Sequence, residues 1–103
     1  SFFKNPVVDK TQADALKTQY DKLPCYPMAD GRVKLAAGWL IEQAGWKGAR
    51  SADGHVGVYD KQALVLVNHG GGTGTQLMAL ARAIAENVQS KFGVTIEPEP
   101  IVV

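Results

Sequence analysis

Residues able to do acid–base, nucleophilic or ligand chemistry are few in this chain and lie far apart. The opening Ser1-Phe2-Phe3-Lys4-Asn5-Pro6 sets a hydroxyl, an ammonium and an amide among two aromatics, ahead of a proline. Read as extended backbone, Ser1, Phe3 and Asn5 face one way and Phe2 and Lys4 the other. Proline has no N–H and disfavours helix before it, so the run should end near Asn5. Two readings stay open: a polar strand face that meets a ligand, or an edge strand that buries a phenylalanine. Near the other end, Glu97 and Glu99 alternate onto one strand face, about 7 Å apart. Such a pair can act as acid and base; the plainer reading is two solvated carboxylates at a strand end.

The remaining candidates are weaker. His55 and His69 show no metal-ligand spacing with each other or with Cys25, and both read as surface residues. There is no Gly-x-Ser-x-Gly elbow and no His-Glu-x-x-His. Gly70-Gly71-Gly72-Thr73-Gly74 lies between a strand and a helix, where phosphate-cradling loops sit, but lacks the Gly-Lys-Ser/Thr and the later acidic residue of the known fingerprints. It reads instead as a connection in which Thr73 caps the next helix and Gln76 completes the box. Taken residue by residue, no metal site and no self-sufficient active site stand out.

The elements that must position these residues follow from periodicity and punctuation. Asp9 with Gln12 three residues on is a capping-box arrangement, and Ala13, Leu16 and Tyr20 recur at helical spacing, giving a helix from about Lys10 to Tyr20. Pro24, Pro27 and Asp30-Gly31 break the next stretch into loop and turn, placing Tyr26 in a loop. Lys34 to Ala44 reads as a second helix with Leu35, Ala36, Trp39, Leu40 and Gln43 near one face and Gly45 as a left-handed stop. Lys47 just beyond it suits the negative end of the helix dipole. Asp53-Gly54 reads as a turn, and His55–Tyr59 and Ala63–Val67 as strands, the second apolar on both faces and so central. The last helix, about Gly74 to Phe92, carries Leu77, Leu80, Ala81, Ile84, Ala85 and Val88 on one face, with Arg82, Glu86, Gln89 and Lys91 opposite and Gly93 as its stop. Val94-Thr95-Ile96 begins a final strand, which the prolines of Glu97-Pro98-Glu99-Pro100 place at an edge. The fold class expected is α+β, a small, largely antiparallel sheet packed by about three helices.

At 103 residues the chain is one domain, and 46% hydrophobic with 20% charged residues is ordinary for a globular one. A formal charge of +1 excludes the basic excess of a dedicated nucleic-acid binder. A single cysteine leaves no internal disulfide and fits a reducing compartment. No apolar run approaches the ~20 residues of a membrane span. A start at serine rather than methionine suggests a fragment or processed product.

Five blocks in order resemble the C-terminal domain of the UDP-N-acetylenolpyruvoylglucosamine reductase family. They are the opening hexapeptide; Tyr26-Pro27 with Asp30-Gly31-x-Val33-Lys34-Leu35-Ala36-Ala37-Gly38-Trp39-Leu40-Ile41; Lys47-Gly48; Lys61-Gln62-Ala63-Leu64-Val65-Leu66-Val67-Asn68; and Lys91-Phe92-Gly93-Val94 with Glu97-Pro98-Glu99. The tyrosine-proline stretch is similar to the longer of the family's two architectural types. The resemblance implies residues 1–103 as the substrate-binding domain of a bacterial, cytoplasmic FAD- and NADPH-dependent enzyme of peptidoglycan synthesis, UDP-N-acetylmuramate dehydrogenase. It implies FAD-binding domains N-terminal to this chain, no cofactor-binding residue within it, and no activity in the fragment alone. Ser1 matches the family's proton donor. Glu99 matches the residue that helps stabilise the enolate, and is expected to be protonated or to share a proton because a carboxylate would repel that charge. Asn5, Tyr26, Lys47 and Gln62 match substrate contacts, Tyr26 and Lys47 towards the diphosphate. No nucleic-acid or membrane partner is implied. Pro100 departs from the β-branched residue usual after Glu99. The alternatives are a free-standing, non-catalytic nucleotide-sugar-binding module and a small interaction domain with an exposed sheet.

Overall fold

Helix ends in this protein follow local chemistry closely. A computed structural model of the chain describes residues 3–63 and 65–98. Ser1 and Glu99 lie outside the described residues, as do Phe2, Leu64 and residues 100–103. The first helix, α1 (Lys10–Gln19), begins where Asp9 Oδ1 accepts the Gln12 N–H at 2.7 Å. The box is only half closed. Gln12 Nε2 instead donates to the Gly93 carbonyl at 3.1 Å, tying the start of α1 to the end of the last helix. That helix, α3 (Gly74–Phe92), has the complete expected box between Thr73 and Gln76 and ends at Gly93 with φ 69°, a left-handed cap that favours glycine. Leu80, Ala81, Ile84, Val88 and Phe92 are buried, while Arg82, Glu86, Gln89 and Lys91 are exposed.

The second helix, α2, is shorter than its periodicity suggests: it spans Ala37–Gln43, and Lys34 and Leu35 belong to a strand. The reason is non-local pairing. Leu35 donates its N–H to the Pro6 carbonyl at 2.8 Å and Ala36 donates to that of Pro24 at 3.3 Å, so both neighbours claim the backbone before a helix can. Gly45, φ 90°, follows the helix as expected.

Three strands, β1 (Val7–Val8), β2 (Cys25–Pro27) and β3 (Val33–Leu35), form an antiparallel sheet in the order β1-β3-β2. Tyr26 is therefore a strand residue rather than a loop residue. The Met28–Arg32 turn closes this hairpin, with the Asp30 carboxylate accepting the Arg32 N–H at 3.0 Å and Arg32 Nε at 2.8 Å. A separate antiparallel pair joins β4 (Val56–Val58) to β5 (Leu66–Asn68). The expected α+β class holds, with two small sheets in place of one. Among the described residues β5 pairs with β4 alone, so it is not central; Leu66 and Val67 are only half-buried. Val94–Ile96 joins neither sheet. It alternates buried, exposed, buried and then meets the opening segment: Phe3 bridges Pro98, and Lys4 donates its N–H to the Glu97 carbonyl at 2.9 Å.

The core runs through Phe3, Leu23, Leu35, Leu40, Ile41, Val56, Ile84, Val88, Val94 and Ile96. The three helices meet at Tyr20, Trp39 and Phe92, with ring centroids 5.1–6.3 Å apart in edge and tilted arrangements. No helix among the described residues is long and apolar enough to cross a membrane.

Candidate functional site

The opening segment resolves the choice left by its sequence in both directions. Phe3 is buried, 1% exposed, so the edge-strand reading holds for that residue. Asn5 is exposed, and its Oδ1 accepts the Ala37 N–H at 3.0 Å, supplying the first turn of α2 with the cap that Ala36 cannot give. The strict alternation placing Phe3 and Asn5 on one face is not reflected in their burial. Asn5 is thus held in place by the helix it caps, and its amide N–H₂ has no partner among the described residues.

Tyr26 is 52% exposed and stands directly opposite Lys34 across β2–β3, while Val7 stands opposite Lys34 on the other side. These three share one exposed sheet face, since directly paired residues project together. Lys34 escapes a sequence reading that puts it on a helix. Its ammonium has no carboxylate partner among the described residues, which makes it a further cation beside Tyr26.

Lys47 follows α2, and its Nζ lies 3.4 Å from Glu42 Oε1, both groups substantially exposed. Exposed pairs of this kind hold a lysine loosely, within about 1 kcal/mol, so it can turn to an anionic ligand. Lys91 Nζ, not Lys47, reaches the α2 C-terminus, donating to the Gln43 carbonyl at 3.0 Å. Gln62 is exposed, and its side chain has no hydrogen-bond partner among the described residues. Asn5 caps the start of α2 and Lys47 lies past its end, about 10 Å of helix apart; Tyr26 lies in β2, and Gln62 lies between β4 and β5. The catalytic candidates Ser1 and Glu99 lie outside the described residues, but the segments leading to them are the ones paired at Phe3 and Pro98.

Two polar clusters had only weak sequence signals. Asp53, legible as a turn residue, is a hub: Oδ1 accepts Ser51 Oγ at 2.7 Å and the His55 N–H at 3.0 Å, and Oδ2 accepts Gln76 Nε2 at 2.6 Å. The Ser51 hydroxyl and the other donors hold its carboxyl down at about 2. The serine bonds to the aspartate rather than to His55, so this is a brace between the 51–55 turn and α3 and not a nucleophile with its base. The second cluster is Arg50 with His69, 3.2 Å apart.

The glycine stretch can be tested for a dinucleotide cofactor. Asn68 Oδ1 accepts the N–H groups of Gly70 and Gly72 at 2.9 and 3.1 Å, its Nδ2 donates to the Gly72 carbonyl at 2.7 Å, and Gln76 Oε1 takes the Thr73 N–H. Those amides are engaged internally and do not cradle a phosphate, and no parallel βαβ unit accompanies them. This loop therefore lacks the open amides that a dinucleotide phosphate would need. Among them, no group of three or more His, Cys, Asp or Glu is placed to hold a metal ion.

Among the described residues, the structure defines a small α+β domain with three helices and two antiparallel sheets. The family described as UDP-N-acetylenolpyruvoylglucosamine reductase, C-terminal domain, matches residues 1–103, and the chain belongs to that family. Proteins named UDP-N-acetylenolpyruvoylglucosamine reductase are similar to it: that of Pseudomonas aeruginosa is 63% identical over 100 residues, covering 97% of this chain and 29% of the relative. The protein of that name from Chromobacterium violaceum is 62% identical over 102 residues, 99% of this chain and 29% of the relative. That of Burkholderia multivorans is 58% identical over 101 residues, 98% of this chain and 28% of the relative. The chain spans less than a third of the length of these relatives, which their names make reductases.

Proposed function

We propose that this chain is the substrate-binding and proton-donating domain of an enzyme that reduces UDP-N-acetylenolpyruvoylglucosamine to UDP-N-acetylmuramate for peptidoglycan synthesis in the bacterial cytoplasm. FAD held by other parts of the polypeptide, with NADPH as the source of electrons, would supply the hydride. This chain's residues bind the substrate and deliver the proton. Reduction of an enolpyruvyl double bond leaves negative charge on the α-carbon and its carboxylate, and a proton must reach that carbon. The Ser1 hydroxyl donates it, a weak acid made effective by placement beside a strongly basic enolate. Glu99, as the neutral acid, hydrogen-bonds the enolate oxygen. Asn5 presents its free amide N–H₂ to the substrate from a position fixed by the α2 cap. Tyr26 and Lys47 contact the diphosphate, Lys47 as a mobile point charge, and Gln62 makes a further substrate contact.

The observation that carries the reading is the antiparallel meeting of Phe3 and Lys4 with Glu97 and Pro98. A shared site for Ser1 and Glu99 requires these two segments to meet, and their pairing at Phe3 and Pro98 meets that requirement. The test separates the two half-reactions in the intact polypeptide by stopped flow. Ser1→Ala should slow oxidation by substrate about a hundred- to ten-thousand-fold while reduction by NADPH stays within about twofold. Equal slowing of both halves would make Ser1 an architectural residue.

A further inference from the structure

A cavity of about 290 Å³ lies between α1 and the β2–β3 hairpin. Its hairpin wall is fixed by strand pairing. Cys25 and Pro27 stand opposite Leu35 and Val33, and directly paired residues project together. Leu35 and Val33 are buried, so this face turns inward, towards α1, which packs on β3. Tyr26 lies between Cys25 and Pro27 and projects to the other side of the sheet with Lys34. The sheet therefore separates the cavity from the exposed face that carries Tyr26. From α1 the wall is supplied by Lys10, Ala13, Asp14 and Lys17, which recur at helical spacing. Ala13 ends in a single methyl, too short to fill the space it shares with Pro27, Met28 and Val33.

This apolar lining comes with a charge imbalance. Lys10 Nζ is paired with Asp14 Oδ2 at 3.0 Å, and Arg32 Nε with Asp30 Oδ2 at 2.8 Å. Lys17 has no carboxylate partner among the described residues: its Nζ donates to the Leu23 carbonyl at 2.7 Å, a neutral acceptor. An ammonium has three N–H bonds, so two remain open. Cys25 Sγ lies 3.5 Å from the same carbonyl, which puts the Lys17 charge at the Cys25 end of the cavity.

We propose that this cavity is a binding site for a small aliphatic monocarboxylate, with its chain on Ala13, Pro27, Met28 and Val33 and its carboxylate on Lys17. An apolar space of this size with one convergent polar group takes a small ligand chiefly by burying hydrocarbon. One uncompensated cation at its end selects a single negative charge. An alkylammonium of the same length would set its charge against Lys17. A dianion would find no second unpaired cation in the described wall.

The experiment titrates octanoate and octylammonium into the intact polypeptide by calorimetry. Octanoate should bind at least about tenfold more tightly, the discrimination expected of one charge-assisted contact. Lys17→Gln, at an exposed position of α1, should remove that preference. Met28→Trp, at a half-buried residue of the hairpin turn, should weaken both amphiphiles by filling the space. Octanoate should also slow modification of Cys25 by N-ethylmaleimide, followed by peptide mass mapping, because the thiol shares its carbonyl with Lys17. UDP-N-acetylenolpyruvoylglucosamine should not displace octanoate, since Tyr26 is on the other side of the sheet. Absence of octanoate binding up to about 10 mM, equal binding of octylammonium, or an octanoate preference that survives Lys17→Gln overturns the proposal. Binding that leaves Cys25 equally reactive also overturns it, as does displacement by the UDP-sugar, which would move octanoate to the proposed substrate site.

Discussion

Asn5 has one observed bond and one proposed role, which one pair of substitutions can separate. Its Oδ1 satisfies the Ala37 N–H at the start of α2, and its amide N–H₂ is the group left to a substrate. Asn5→Ala removes both. The structural loss is one cap on a helix whose N-cap residue, Ala36, has no side-chain acceptor, at a part-buried site, which corresponds to about 1–2 kcal/mol. For a domain of this size that lowers the midpoint of thermal unfolding by about 4–8 °C per kcal/mol. Asn5→Asp keeps an oxygen for Ala37 but loses the amide donor. It should therefore hold wild-type stability at neutral pH, yet bind substrate as poorly as Asn5→Ala. Urea unfolding followed by Trp39 and Trp46 fluorescence reads the first quantity, since Trp39 lies in α2 and Trp46 just beyond it. Substrate titration reads the second. Stability of Asn5→Ala within about 0.3 kcal/mol of wild type, smaller than any cap measured, would show that Ala37 does not depend on this amide. Asn5→Asp binding substrate as well as wild type would show that the amide donor is not a ligand.

Two further outcomes follow from the same coordinates. The Asp53 carboxyl is held at about 2 against an ordinary 3.8, so its charged form stabilises the fold fully above that ordinary value, and the contribution is lost as pH falls through about 2. Melting temperature should decline over that window more steeply for wild type than for Asp53→Asn; parallel curves would refute the brace between the 51–55 turn and α3. Gly57→Ala would bring its new methyl to 2.5 Å from the Ala49 carbonyl oxygen, a backbone group that cannot step aside, and should cost about 1–3 kcal/mol. An unchanged urea midpoint would mean that residues 49–51 do not pack against β4 in solution.

What the sequence made legible was chemistry that acts over three or four residues. Thr73 with Gln76 and Gly93 mark both ends of α3 without help from the rest of the fold, and Asp9 marks the start of α1. Lys34 and Leu35 read as helix because their apolar neighbours recur at helical spacing, while the carbonyls that hold this stretch extended, Pro6 and Pro24, lie 29 residues before Leu35 and 12 before Ala36. Ala63–Val67 looked central because it is apolar throughout; the structure instead turns the chain after Gln62, whose carbonyl accepts the Val65 N–H at 3.1 Å. The candidate site was legible through family resemblance rather than pattern. Nothing in the spacing of Arg50 and His69, 19 residues apart, announces that their side chains meet, because β4 and β5 must pair first. Asn5 shows the same limit in reverse: as a residue type it suggested a ligand contact, and its bond to Ala37 depends on a helix 32 residues on.

The meeting of the first and last described segments also sets how the protein responds to mechanical load. Phe3 and Pro98 face each other in antiparallel sense, so tension applied through the residues before Phe3 and after Pro98 acts across the pair at one end. The contact is loaded in peeling geometry: the Lys4–Glu97 bond gives way without recruiting the two antiparallel sheets or α3 to resist. Phe3 and Ile96, each one residue from that bond and both buried, would be drawn from the core next. A pull applied at these two ends would thus load the Phe3–Pro98 contact before the Tyr20–Trp39–Phe92 junction.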